Sequence, residues 1–153
     1  MRVVVQRVTE ACVTVQDEIV GSIGLGLLVL VGVACTDTED DASWLAHKVA
    51  GLRVFSDTRG KMSLAAGDVG GEYLVVSQFT LFGDVRHGLR PDFGRAAPAP
   101  QAERLYRCFC DQLRLSGHRV RMGVFGAHMD VQLVNNGPVT IYIDTDEVKF
   151  RGV

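Results

Sequence analysis

The chain has 153 residues, 47% of them hydrophobic, and a formal net charge of −2. That length suits one domain with its own core and no disulfide or metal staples, expected here over 1–153. The charge excludes a binder that relies on blanket positive charge, and the longest apolar run, "GLGLLVLVGVA" at 24–34, is too short and too glycine-broken to cross a bilayer. With no charged-then-apolar leader at its start, the sequence is expected to be cytoplasmic.

In chain order, "RVVVQRV", "ACVTV" and "EIVGSIG" are short β-branched runs bounded by polar or glycine positions, and each predicts a strand. "GLLVLVGVA" follows as the near-continuous apolar run of a buried central strand. "TEDDASWLAHKVAGL" places Leu45, Val49 and Leu52 at helical spacing behind three acids, with Thr38 and Asp41 at capping-box distance. A turn at "DTRGK" precedes "EYLVVSQFTLF", the strongest strand signal in the chain. "GDVRHGLRPDFGRAAPAP" is then a long Gly/Pro/Arg-rich loop, of a length that usually serves a function. A second helix is predicted from near Pro100 to Leu115, with Ala102, Leu105, Phe109 and Leu113 on one face and Gly117 as its stop. "HRVRMGVFG", "HMDVQLVN" and "GPVTIYID" return to strands. The pattern predicts a sheet-dominated α/β or α+β single domain covered by two helices.

Charge is uneven along this pattern. Between positions 86 and 121 stand eight arginines against three acids, a net of +5, and the remainder carries eight basic residues against fifteen acidic ones. One phosphate-facing side on a mildly acidic body fits that distribution, as does an ordinary solvated helix face. Cys12, Cys35, Cys108 and Cys110 have no C-x-x-C spacing and are expected to be small buried hydrophobes. His47, His87, His118 and His128 show no paired metal spacing, and no cofactor or metal is expected. "GSIGLG" lacks the G-x-G-x-x-G pattern and reads as a turn between strands, and Ser77 has no glycine elbow around it.

Two stretches remain distinctive. "SQFT", Ser77, Gln78, Phe79 and Thr80, gathers two hydroxyls, an amide and an aromatic where a strong strand enters the arginine-rich loop. "NNGPVT", at 135–140, sets Gly137 and Pro138 before a strand. Proline cannot donate to a ladder and X-Pro is the peptide for which cis is cheap, so the step is either a strand-opening turn or a binding element built from backbone.

These two motifs resemble the signatures of the D-aminoacyl-tRNA deacylase (D-tyrosyl-tRNA(Tyr) deacylase) family. The likeness extends through "MRVVVQRV", "VGSIGLGLLVLVGV", "LRVFSD", "GKMSL", "GLRPDF" and "VFGAHM", nearly the whole chain. The resemblance implies two packed, barrel-like sheets covered by two helices, a three-layer α/β/β arrangement. It implies an esterase that frees tRNA from a D-amino acid or from glycine mischarged on tRNA(Ala), that rejects L-aminoacyl-tRNA, and that works as a homodimer. Carried over, Ser77, Gln78, Phe79 and Thr80 line the reacting end, and Gly137 and Pro138, as a cis step, form a chiral filter in the partner's pocket. Arg86, Arg90 and Arg95 become candidates for tRNA contact. Asn136 stands where the family commonly has Asp, and Met122 where it often has Thr. The competing readings from residues alone are a non-catalytic RNA-binding module and a small-molecule esterase.

Overall fold

The structure, a computed structural model, describes residues 1–148, so the last five positions of the expected 1–153 domain lie outside the described residues. Its strands are β1 (Arg2–Val15), β2 (Glu18–Ile23), β3 (Gly26–Gly32), β4 (Phe55–Ser56), β5 (Met62–Leu64), β6 (Glu72–Ser77), β7 (Val120–Met122) and β8 (Asp130–Asp144). Its helices are α1 (Glu39–Ala50), α2 (Ala99–Leu115) and the single turn α3 (Thr145–Val148).

Six strands form one sheet in the order β2-β1-β3-β6-β7, with β8 also paired to β1. Over residues 2–8, β1 pairs antiparallel with β3 along one edge and with β8 along the other; over 11–15, β2 takes the place of β3. β6 and β7 add in parallel, each reached through a helical crossover of the kind parallel pairing demands. β4 and β5 make a separate two-stranded ribbon. The two β layers implied by the resemblance are halves of this one curled sheet, nearly closed like a barrel.

Irregularities in the pairing of β1 produce the curl. Its register against β8 shifts between Val8 and Glu10, where β1 carries an extra residue, and its register against β2 shifts between Val13 and Thr14, where the extra residue is Val20 of β2. A single inserted residue reverses which face every later side chain takes and bends the strand. Val3 and Val5 therefore point toward the helices, whereas Val8, Ala11 and Val13 line the interior of the curl. β3 and β6 serve both cores by simple alternation: Leu27, Val29, Tyr73 and Val75 face the helices, and Leu28, Leu74 and Val76 face inward. This explains why "GLLVLVGVA" reads as apolar on both faces.

The helix layer follows its sequence signals. The Thr38 N–H donates to the Asp41 carboxylate at 2.8 Å, and α1 buries Ala42, Leu45, Ala46 and Val49. α2 buries Leu105, Tyr106, Phe109, Cys110 and Leu113, each under 2% exposed. Truncating Leu105 to alanine in such a site costs about 2–5 kcal/mol.

Four expectations change in detail. "RVVVQRV" and "ACVTV" are one strand, because the bulge at Val8–Glu10 bends β1 without ending it. "HMDVQLVN" and "GPVTIYID" likewise belong to the single β8, which pairs with β1 on both sides of the Gly-Pro step. The strand signal at 72–82 stops at Ser77, after which Phe79–Phe82 form a 3₁₀ turn. Among the cysteines only Cys110 is buried, its thiol pushed up to about 12 by burial; Cys12 and Cys108 are half-buried and Cys35 is exposed, because they fall on the outer face of β1, on a flank of α2 and in a turn, respectively.

Candidate active site

At the end of β6, Ser77 pairs with Val31 of β3, and the next N–H, that of Gln78, donates to the Val31 carbonyl at 2.7 Å. The chain then coils into the 3₁₀ turn, closed by Leu81 N–H to Gln78 O at 3.2 Å and Gly83 N–H to Thr80 O at 2.9 Å. The opening N–H groups of such a turn have no partner within it, and those of Phe79 and Thr80 meet no acceptor among the described residues. Two adjacent free N–H groups at a strand end are a ready donor pair for an oxygen that gains charge. Gly32 makes room for this turn, since a Cβ there would lie 3.0 Å from Gln78 O and 3.1 Å from the Leu81 Cβ.

Side chains around the turn are ordered by their neighbours. The Gln78 amide donates to the Thr80 hydroxyl, and no described side chain accepts the Thr80 proton. Phe79 is 57% exposed and meets Phe93 edge to face at a 5.0 Å centroid separation. From β1, Arg2 donates through Nη1 to Leu81 O at 2.9 Å and through Nε to Asp144 at 2.7 Å, while its guanidinium lies 4.5 Å from the Phe82 ring centre. Burial pushes the Asp144 carboxyl up, but the Arg2 and Asp146 N–H hydrogen bonds outweigh it and hold the group below its ordinary value.

Ser77, Gln78 and Phe79 line a cavity of about 420 Å³ between the end of the sheet and the start of α2. Its walls are largely apolar, with Val31, Val76, Ala102 and Phe125 among them. Tyr106 also contributes, its O–H committed to Val75 O at 2.8 Å and its ionisation displaced far upward by burial. His128 lines the same cavity. Among the described residues no three His, Cys, Asp or Glu side chains gather as a metal site.

The Gly-Pro step is built differently. In the β1–β8 ladder Gln6 faces Thr140 and Val8 faces Asn135, so four residues of β8, 136–139, oppose Arg7 alone. They leave the ladder as an excursion. The Asn135 side chain ties its base, accepting from Val139 N–H at 3.2 Å and donating to the Thr140 hydroxyl at 2.9 Å. Arg7 supports its flank, donating Nε to Asn136 O at 3.1 Å and Nη1 to Val54 O at 2.6 Å. Gly137 has φ +126, a backbone that other residues rarely adopt, and a Cβ there would come within 2.9 Å of Arg7 Nη2. The Gly137–Pro138 peptide is cis, and both residues are exposed.

One chain therefore brings Ser77, Gln78 and Phe79 to the cavity, with Thr80 adjoining in the same turn, and leaves Gly137 and Pro138 out of its lining. Asn136 and Met122, the two departures from the family pattern, also lie outside it. The arginine candidates are mostly paired: Arg86 forks onto Asp84, holding that carboxyl well below the usual range, and Arg95 lies 3.7 Å from Asp146. On α2, Arg104, Arg107 and Arg114 bridge to Glu39, Glu103 and Asp111. Arg90 makes no ion pair among the described residues. Sequence reading missed Arg2, Arg7, Tyr106 and His128. Arg2 and Arg7 left a weak signal, as charges flanking the apolar opening of β1.

The family model described as D-Tyr-tRNA(Tyr) deacylase matches residues 4–144. A D-aminoacyl-tRNA deacylase from Thermotoga petrophila is 55% identical over 97% of this chain and 99% of its own length, and one from Thermomicrobium roseum is 57% identical over 97% of each. A solved structure named c-Myc DNA Unwinding Element Binding Protein superposes with TM-score 0.88 at 44% identity, covering 94% of this chain and 98% of its own. A probable eukaryotic D-amino acid tRNA deacylase, at 18% identity and TM-score 0.83 over 93% of this chain and 97% of its own, shares the fold. The match spans both motifs and nearly all of the curled sheet, and the chain belongs to the D-Tyr-tRNA(Tyr) deacylase family, enzymes that hydrolyse aminoacyl-tRNA.

Proposed function

We propose that this enzyme is a cytoplasmic, single-domain homodimer that removes D-amino acids, and glycine mischarged on tRNA(Ala), from tRNA and spares L-aminoacyl-tRNA. The observation that carries this reading is the separation of the two motifs: the Ser77–Gln78–Phe79 strand end lines a cavity that Gly137 and Pro138 of the same chain do not reach, although those two residues are exposed on a braced excursion. A second copy supplies the missing wall when each excursion enters the partner's cavity, an exchange that two-fold symmetry makes reciprocal.

In that assembly the main-chain carbonyls of Gly137 and Pro138 receive the substrate's α-ammonium, and the Phe79 and Thr80 N–H groups face the ester carbonyl. A site that grips only these shared atoms accepts many D-side chains, because they point outward. An L-side chain held by the same atoms runs into the wall, and glycine has nothing to collide. Water adds to the ester carbon, the bond to the ribose 3′-oxygen breaks, and the water's proton passes to that oxygen, assisted by the neighbouring 2′-hydroxyl. Thr80 is not the nucleophile in this scheme, since its hydroxyl accepts from Gln78 and has no base beside it. Arg90, with Arg86 and Arg95, contributes to the tRNA-facing side, and binding there weakens with salt.

The test is amino-acid release from matched D-, L- and glycyl-tRNA, with a free D-amino-acid ester beside them, on enzyme whose oligomeric state is measured in the same buffer. Release from D- and glycyl-tRNA alone by a dimer supports the reading. Equal release from the L-substrate, equal use of the free ester, or full activity of a monomer overturns it.

A further inference from the structure

His128 is the one side chain lining the cavity whose ordinary chemistry changes charge near neutral pH. The wall from β3 contributes Val31 and Val33, and the end of β6 with its turn contributes Ser77, Gln78 and Phe79, none of them ionisable in that range. From α2 the only titratable side chain in the lining is Tyr106, whose O–H donates to Val75 O. On its own segment the neighbouring charge is Asp130, two residues on and exposed.

The turn that carries His128 is firmly held. Ala127 N–H closes onto Val124 O at 3.2 Å, the Phe125 ring lies 6.0 Å from that of Tyr106, and Met129 packs beneath into the inner core. Yet the imidazole itself is exposed and has no hydrogen bond, ion pair or ring contact among the described residues. A rigid turn thus presents an unpartnered, chargeable group at the mouth of an otherwise uncharged cavity.

Resting on the proposed reading, the substrate's size says what reaches that mouth. The cavity, about 420 Å³ in one chain and narrowed by the partner's excursion in the proposed dimer, admits the aminoacyl end of the substrate and not a stretch of RNA. With the ester at the strand end, only the terminal ribose separates it from the phosphodiester on the nucleoside's 5′ side. We propose that His128, as the imidazolium, holds this phosphodiester, so that the substrate binds more tightly as pH falls toward 6 while the chemical step is untouched.

The experiment compares His128→Gln with the parent enzyme at pH 6 and pH 8, on D-aminoacyl-tRNA and on the D-aminoacyl ester of adenosine, which lacks the phosphodiester. Taking the difference between the two enzymes cancels the titration of the substrate's own ammonium. With one partly exposed charge pair at stake, KM for the tRNA substrate is expected to rise about threefold to fivefold at pH 6. The two enzymes should agree within about 1.5-fold at pH 8, with kcat unchanged and no difference on the adenosine ester. His128→Lys should retain the tight KM at pH 6 and extend it to pH 8. Because the imidazole makes no hydrogen bond, ion pair or ring contact among the described residues, an unchanged thermal midpoint confirms that the variants are folded. Equal KM at both pH values, a loss confined to kcat, or the same penalty on the adenosine ester overturns the proposal. Failure of the parent enzyme to cleave D-aminoacyl-tRNA instead overturns the reading beneath it.

Discussion

The end of β6 and the excursion in β8 are both places where a strand is spoiled, yet they are spoiled in opposite senses. After Ser77 the chain turns inward against Gly32 and Phe82, so its free N–H groups edge a cavity. At 136–139 the chain turns outward and stands exposed. Each is braced from β1 by an arginine, but the braces differ. Arg2 reaches a carbonyl and a carboxylate, Leu81 O and Asp144; Arg7 reaches two carbonyls, Val54 O and Asn136 O. One region has the form of a receptacle and the other of an insert, and a single backbone strand holds both in register.

Breaking the insert should have the largest effect. Gly137→Val places a branched side chain at φ +126 against Arg7 and displaces the excursion, and a shift of about 1 Å at a reacting centre costs on the order of a hundredfold in rate. The measurement is kcat/KM on D-aminoacyl-tRNA, with circular dichroism to confirm the fold; near-normal activity would separate the excursion from the chemistry. Removing its brace should cost less. Arg7→Gln forfeits two charge-assisted bonds, and about a tenfold loss in kcat/KM is expected.

Acid should separate the two braces. The folded Asp144 carboxyl is held below its ordinary value, so its stabilising contribution is complete above the unfolded value of about 3.9 and is lost as pH falls below it. Thermal midpoints should therefore drop more steeply below pH 4 in the parent enzyme than in Asp144→Asn, which has no such group to protonate. No corresponding acid step is expected from Arg7, whose partners do not titrate. Parallel pH profiles for the two proteins would remove Asp144 from the receptacle's brace. The smallest effect belongs to Thr80→Ala: with only a Gln78 hydrogen bond lost, kcat should stay within about fivefold. Complete loss of activity in a folded protein would make Thr80 the nucleophile.

Much of the element order was legible because it rests on local chemistry. The apolar spacing and capping residues of "TEDDASWLAHKVAGL" specify α1 within a residue or two, and the prolines and Gly117 bracket α2. Strand limits were less legible. "EYLVVSQFTLF" alternates polar and apolar residues from Gln78 to Leu81 as a strand would, and only the closeness of Gly32 to Gln78 and Leu81 shows why the ladder stops at Ser77. The bulge of β1 is invisible in composition, because a bulge changes facing without changing residue type. The arginine-rich stretch reads as a net cationic face in one dimension, and the fold brings Glu39 and Asp146 to meet it.

The sequence by itself determined the two motifs, the helices and the family, since each depends on residue identity at short range. The tertiary structure alone decided that Gly137 and Pro138 stand apart from the cavity of their own chain, that Arg7 flanks their excursion, and that His128 lines the cavity. Those are relations between residues far apart in sequence, and they exist only once β1 has curled and carried β8 and β3 to its two edges.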